Sequence, residues 1–414
     1  MAALAHGGNP RLGFIQGPAR VLVLTAPLFT AYSMVAPFAV LYMDATGLSA
    51  AEIGLLASLS FGLRFPFLLV GGHLADRWGR LPTITLFDTV GFPVAFIVLA
   101  FADDFGGFLL GMALNATSQG SQAAWHCVLV EEVPPIDRAR VAALERAINA
   151  GPSVLLPLAG GLWVAGWGLV PAMRAMYLAA AASIALMVLL RVHFMPPSSS
   201  GKGVEGPVEP QAPHASFIEA GHFLLETPRA RALAVATVCV AFSGGLGVFY
   251  SIYVARDLGL PLAHVGLLAS LSTGIGVLSL LPLSRGIIPG REPHFVGTSL
   301  GLAVVATALF LSARDLTALA LSSLLAGLAV VLWTVASTAM WANLTPDRVR
   351  AKVVSTVQGL VTLSVVPAAW AGARLWTSVG HHAPWVAVIG LQGFALVVLL
   401  PATLGGRLRK SRFP

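Results

Sequence analysis

Runs of roughly 20 apolar residues recur along the whole chain, each closed by a short polar stretch. Twelve can be drawn, at residues 20–42, 51–72, 82–101, 106–130, 142–165, 172–191, 232–254, 263–283, 295–312, 317–340, 353–376 and 385–404. A helix needs about 20 such residues to cross the ~30 Å hydrocarbon layer. The stretches between the runs are too short to build a soluble domain. The pattern predicts an all-α integral membrane protein of 12 transmembrane helices, spans 1–12 in that order. Span 1 follows Arg11 and Arg20 and is longer than the roughly 7–15 apolar residues of a signal peptide, so it reads as a retained helix.

The runs fall into two sets of six. GLLASLS at 54–60 returns at 266–272, an offset of 212. Asp137-Arg138-Ala139-Arg140 returns as Asp347-Arg348-Val349-Arg350, and Pro157 as Pro367, both at an offset of 210. Echoes in one order at nearly one spacing indicate that one half duplicates the other. An even number of spans per repeat keeps both DRxR copies on the same membrane face. The expectation is two parallel six-helix halves, 1–191 and 230–414, joined by a cytoplasmic linker at 192–229. The linker contains PPSSSGKGVEGPVEPQAPH, rich in Pro, Gly and Ser and without hydrophobic period, as flexible connectors are. The stretch SFIEAGHFLLETPRARA ahead of span 7 reads as a short amphipathic helix on the cytoplasmic surface.

Composition agrees. The chain is 57% hydrophobic and 10% charged, where a soluble domain carries about a quarter charged residues. A net charge of +7 raises the question of nucleic acid, and the placement of the charges answers it. With the N-terminus inside, 20 of the 25 Lys and Arg lie in cytoplasmic segments. Arg174, Arg256, Arg314 and Arg374 fall on the other side, and Arg64 lies within a span. This is the positive-inside bias, with both termini cytoplasmic in an inner or plasma membrane. The basic balance is topology, so the partner is the lipid bilayer and no nucleic acid is implied. Cys127 and Cys239 sit singly in apolar spans, which implies neither a disulfide framework nor a cysteine metal site. No metal or cofactor is expected.

Between spans 2 and 3 the chain reads GHLADRWGRL, residues 72–81. This resembles the signature loop of the major facilitator superfamily, G-x-L-a-D-r-x-G-r-k, through Gly72, Leu74, Ala75, Asp76, Arg77, Gly79 and Arg80; Leu81 departs from it. Glycines there suit a tight turn, and the charges sit where they can meet neighbouring helix ends. The resemblance covers the whole chain and implies the fold of two parallel six-helix halves. It also implies a cytoplasmic latch, with Asp76 and Arg77 at the loop and Arg80 near Glu131 or Glu132 at the end of span 4. Two weaker motifs match in part. PSVLLPLAGG at 152–161 resembles the antiporter-associated G-x-x-x-G-P-x-x-G-G through Pro157, Gly160 and Gly161, with Pro152 and Leu156 in place of two glycines. QGSQAA at 119–124 resembles the end of R-x-x-Q-G-x-g-a-a, with Ala116 where the family carries the arginine tied to proton coupling. LSRGIIPGRE at 283–292 is an eroded second-half copy of the loop.

In the family, spans 1, 4, 7 and 10 line a central cavity. Span 4 here carries Asn115, Gln119, Gln122 and His126, spaced 4, 3 and 4, which places all four on one face of a regular helix. Polar groups in hydrocarbon need water, a partner or a substrate. Two readings stand: interhelical hydrogen bonds, or a substrate cavity completed by Tyr32 and Ser33, by Ser243 and Tyr250, and by Trp333, Ser337 and Trp341. Four titratable groups remain as intramembrane charges or proton sites: Arg64, Asp88, His126 and Glu131. Arg64 and Asp88 lie roughly 12 Å and 9 Å from the cytoplasmic ends of spans 2 and 3 at 1.5 Å per residue. They could pair, Arg64 could snorkel to the interface or touch substrate, and a lone Asp88 could stay protonated.

The function expected is secondary transport of a small organic, amphiphilic solute by alternating access, driven by a proton gradient in the direction of efflux, by a monomer. The alternative is a carrier of a neutral, sugar-like solute. A membrane-embedded enzyme is a weaker reading, since there is no H-E-x-x-H helix and His381-His382 fall in an outer loop; no G-x-x-x-x-G-K-[ST] supports an ATP-driven pump. A non-transporting receptor would need a signalling domain, of which the sequence gives no sign.

Overall fold

The computed structural model describes residues 17–122, 124, 125, 138–195, 217–286 and 290–404. These residues form helices and short connections, with no strand among them. Among them, eleven helices are long and apolar enough to cross a membrane. They correspond to eleven of the twelve runs; span 4 begins as a helix at Phe105–Ala116 and continues toward residues outside the described set. The helices also run past the apolar segments. Span 2 occupies Ala50–Trp78, span 6 Leu169–Phe194, span 10 Leu316–Leu344 and span 11 Asp347–Ser378.

Local chemistry explains where the helices start. Ser49 and Glu52 form a reciprocal cap at span 2, with the Ser49 amide donating to Glu52 Oε2 at 2.8 Å. Asp104 accepts from the Gly107 amide at 2.7 Å to open span 4, and Asp315 accepts from the Ala318 amide at 2.8 Å to open span 10. The signature segment is mostly helix rather than loop. Span 2 continues through Asp76 and Arg77 to Trp78, and span 3 begins at Arg80, leaving Gly79 alone between them. Gly79 has φ +91°, a region that residues with a side chain avoid. Gly290, just ahead of span 9 at Glu292–Ser312, has φ +87° in the same role.

The duplication is visible in the packing of each half. A Cβ on Gly160 in span 5 would lie 2.6 Å from the Met34 carbonyl oxygen in span 1. A Cβ on Gly372 in span 11 would lie 2.8 Å from the Leu246 carbonyl oxygen in span 7. Residue 372 is 212 beyond 160, and 246 is 212 beyond 34, the offset of the repeated GLLASLS. Spans 2 and 4 cross equally closely at Gly71, where a Cβ would overlap the backbone of Gly120, and spans 8 and 10 at Gly327, against the Ser272 carbonyl.

By contact the chain separates into two compact units. One comprises the described residues within Met1–Ala39 and Leu63–Gly206, the other those within Val40–Gly62 and Pro207–Pro414. The hairpin formed by the end of span 1 and the start of span 2 therefore packs with the second half of the chain. Gly54 seats it, since a Cβ there would run into Ala373 and the Ala369 carbonyl of span 11.

The glycine crossings yield a contrast within one dipeptide. Gly71→Ala should cost about 1–3 kcal/mol by overpacking against Gly120. Gly72, with open space around its Cβ position, should tolerate Ala or gain up to about 1 kcal/mol of helix propensity. Melting of the two purified variants in detergent checks this; equal loss in both would show that the crossing at Gly71 has room to relax.

Candidate functional site

Among the described residues, spans 1, 3, 4 and 7 depart from the regular α-helix. Span 1 is α-helical over Gly17–Phe29, turns to 3-10 over Thr30–Met34 and Ala36–Phe38, and resumes at Ala39–Ala45. Carbonyls loosened there are taken by nearby hydroxyls: Thr30 donates to Pro27 O at 2.6 Å and Ser33 to Thr30 O at 2.6 Å. Span 7 breaks in the same way. Its helix Pro228–Leu246 passes into a 3-10 turn at Gly247–Phe249, and the chain ends the span as a π-helix over Tyr253–Asp257. Interrupted helices at corresponding places in two halves are a mark of transporter binding regions.

Span 3 carries a π-turn at Val90–Val94, around Pro93. The Ala95 amide bonds to the Val90 and Phe92 carbonyls and so bypasses Gly91. Asn115 Nδ2 donates to the Gly91 carbonyl at 2.8 Å. Asn115 thereby holds span 4 against span 3 through an interhelical hydrogen bond. Span 4 is itself interrupted at Thr117 and Ser118, where amides bond three residues back. The 4, 3, 4 spacing therefore does not generate one continuous face. Gln119 is half-buried and Gln122 is exposed; His126 lies outside the described residues.

The candidates of spans 7 and 10 are interior. Ser243 is buried and donates to the Cys239 carbonyl at 2.8 Å. Tyr250 stacks on Phe310 at 5.1 Å, with its hydroxyl 3.4 Å from Ser323 Oγ. Trp333 and Trp341 pack against the core formed by spans 7, 9, 10 and 12, and Ser337 is buried. Tyr32 is the contrast. It sits at the break of span 1, 41% exposed, tilted against Phe29 at 5.2 Å. Arg64 in span 2 is half-buried and close enough to Tyr32 to interact with it electrostatically.

Asp88 does not pair with Arg64. Its carboxylate receives Arg191 Nη1 of span 6 at 2.9 Å, and both side chains are almost fully buried. Arg191 Nε also donates to Thr25 Oγ1 of span 1 at 3.1 Å, and Ser121 of span 4 lies within hydrogen-bonding reach of Asp88. One ion pair thus ties four spans of the first half together. Arg191 looked like an ordinary cytoplasmic charge at the end of an apolar run. Span 3 packs along span 6, which brings Arg191 rather than Arg64 to Asp88.

At the arginine-rich ends of the spans, Asp76 and Arg77 are exposed and Arg80 is half-buried. The expected partners Glu131 and Glu132 lie outside the described residues. The matching helix ends of the second half are joined directly: Asn343, closing span 10, donates to Glu292, opening span 9, at 2.5 Å. At the arginine-poor ends, the 40–62 hairpin meets the second half through Asp44 and Arg256 at 2.6 Å. Asp257 and His381 are 2.5 Å apart, with His381 stacked on Trp376 at 4.2 Å, and the Tyr253 hydroxyl lies 2.8 Å from His382 Nδ1.

A duplicated all-helical membrane bundle whose first and seventh spans are broken has the architecture of a secondary transporter. The family model of the Major Facilitator Superfamily matches residues 21–287, and the chain belongs to that superfamily. Among solved structures, a bacterial homologue of the human lysosomal transporter Spinster, inward-facing and unoccupied, aligns with a TM-score of 0.70 at 17% identity, covering 98% of this chain and 100% of that one. The nucleoside transporter NupG aligns with a TM-score of 0.71 at 13% identity over 95% of this chain and 100% of that one. A POT family transporter in complex with 5-aminolevulinic acid aligns with a TM-score of 0.65 at 15% identity over 96% and 98%. A search among curated proteins finds no match.

The buried pair makes a sharp prediction. Arg191→Met or Asp88→Leu alone strands a charge and should cost about 3–5 kcal/mol, enough to abolish a monodisperse product. The exchange Asp88→Arg with Arg191→Asp should restore it, as should the apolar double variant. The exchange of Asp88 with Arg64 should not. Size-exclusion profiles of the detergent-extracted variants read all five.

Proposed function

We propose that this secondary transporter exports a small organic, amphiphilic solute in exchange for protons, by alternating access, as a monomer in the inner or plasma membrane with both termini cytoplasmic. The observation that carries a solute pathway is the pair of helical breaks in spans 1 and 7, with Tyr32 exposed at the first of them. Exposed Tyr32 and Gln122, half-buried Gln119 and Arg64, and the apolar surface around them suit a molecule with a polar end and an apolar body. The direction of transport rests on the partial match of residues 152–161 to the antiporter motif. Its Gly160 also has a packing role, which Gly372 shares. Asp88 is committed to Arg191, so proton coupling in this reading falls to His126 or Glu131.

A second reading, a carrier of a neutral solute, is favoured by the uncharged hydrogen-bonding groups of Tyr32, Gln119 and Gln122. Proteoliposomes with an imposed pH gradient separate the two. Export predicts gradient-driven movement of amphiphilic cations or dyes; the alternative predicts gradient-independent counterflow of a sugar or nucleoside.

In the same assay Gln122→Leu should raise KM about tenfold, the weight of one hydrogen bond of about 1.4 kcal/mol, with little change in melting temperature. A fall in melting temperature at unchanged KM would reassign Gln122 to helix packing.

A further inference from the structure

The linker helix Phe217–Glu226 presents three sides. At about 100° per residue, Ala220, Phe223 and Leu224 share one side. They pack on Ala230 and Ala234 of span 7 and on Val349, Val353 and Val357 of span 11. Glu219, His222 and Glu226 share a second, polar side. There Glu219 accepts from Arg348 Nη2 at 2.7 Å, and His222 lies 3.7 Å from Glu226. The third side holds Ile218 and Leu225, seven residues apart on one stripe, 73% and 67% exposed.

The position of that stripe is set by the chain. Only Thr227 separates the helix from Pro228, the first residue of span 7. Span 7 runs for 30 residues, about 45 Å of helix, against a ~30 Å hydrocarbon core and about 40–45 Å with the headgroup layers. Its first turn therefore sits among headgroups, and the linker helix, joined through one residue, stays at that depth. The span opens with Arg229 and Arg231, both exposed. Arg231 Nη1 also donates to the Leu225 carbonyl at 3.2 Å, holding the end of the linker helix against the start of the span.

The geometry points to the linker helix as an interfacial element whose Leu225 and Ile218 side enters the headgroup–acyl boundary of the bilayer, with Arg229 and Arg231 engaging the phosphates of anionic phospholipids. The occupant follows from continuity and charge. The helix is joined through Thr227 alone to membrane-spanning span 7, and the two arginines that open the span match an anionic headgroup layer. The polar side carrying His222 and Glu226 then faces water, and the Ala220–Leu224 side faces protein. Each side meets its own medium.

The test uses the full chain in proteoliposomes, with Cys127 and Cys239 replaced by serine and one cysteine introduced at Leu225, Ile218, His222 or Leu278. Leu278, 74% exposed within the span-8 helix Leu262–Gly286, is the membrane control. Each cysteine is labelled with an environment-sensitive fluorophore and challenged with headgroup-proximal doxyl lipid. Probes at 225 and 218 should be blue-shifted and quenched to an extent comparable with 278, while 222 stays water-like. Doxyl phosphatidylglycerol should quench the 225 probe more than doxyl phosphatidylcholine. That preference should shrink roughly fivefold for each of Arg229→Gln and Arg231→Gln, the weight of one basic side chain near an anionic surface. A water-like, unquenched probe at 225 and 218 beside a quenched 278 overturns the proposal. So does a blue-shifted probe that no lipid quenches, which would assign the stripe to protein contact.

Discussion

Every backbone polar group carried into hydrocarbon must find its partner inside the protein. This constraint organises the molecule. It makes all described residues helical or connecting, and where a helix deviates it dictates what stands beside the deviation. The π-turn of span 3 releases the Gly91 carbonyl, and Asn115 of span 4 is there to bond it. The 3-10 break of span 1 is matched by Thr30 and Ser33 bonding back to their own helix. The largest demand is that of a charge, and Asp88 meets it with Arg191. A desolvated pair of this kind adds little to stability over an apolar filling, yet it punishes any arrangement that separates its members. Bonded to Thr25 and within reach of Ser121, it selects one packing of spans 1, 3, 4 and 6.

The second organising element is the glycine crossing. In each half the first and fifth spans, and the second and fourth, approach so closely that a methyl group would meet a backbone carbonyl. Without a hydrophobic force between helices in lipid, close backbone approach and the dispersion contacts it permits are what hold spans together. Gly160 and Gly372, and Met34 and Leu246, occupy matching places in the two halves at the repeat offset of 212. A glycine in the antiporter-like motif thus has a packing duty that its unmotivated counterpart also performs.

The break in span 1 lies close to the boundary between the two compact units. Span 1 is broken between Thr30 and Phe38, close to where the chain leaves one compact unit at Ala39, and it returns at Leu63. The intervening hairpin is fastened to the second half by Asp44 and Arg256 and by the seat at Gly54. A 3-10 stretch, with poorer hydrogen-bond geometry than the α-helix, is a natural place for a hinge. Tyr32 stands within that break, with Arg64 close to it.

The sequence by itself determined the membrane-spanning runs, their repeat and the amphipathic linker helix. All of these are written in local period or in composition, which the 1.5 Å rise and the thickness of the bilayer convert directly into structure. It also held Gly79 as a turn, though the segment around it proved to be helix. Tertiary structure decided the partners. Asp88 took Arg191, 103 residues away, rather than Arg64 in the adjacent span. Asn115 was drawn from a polar stripe to a carbonyl freed by a π-turn, and Ser243 and Tyr250 turned into the core of the second half. A hydrophobic period reports how each helix meets its surroundings. Which polar group meets which depends on how separate helices are laid side by side, and no spacing within one helix encodes that.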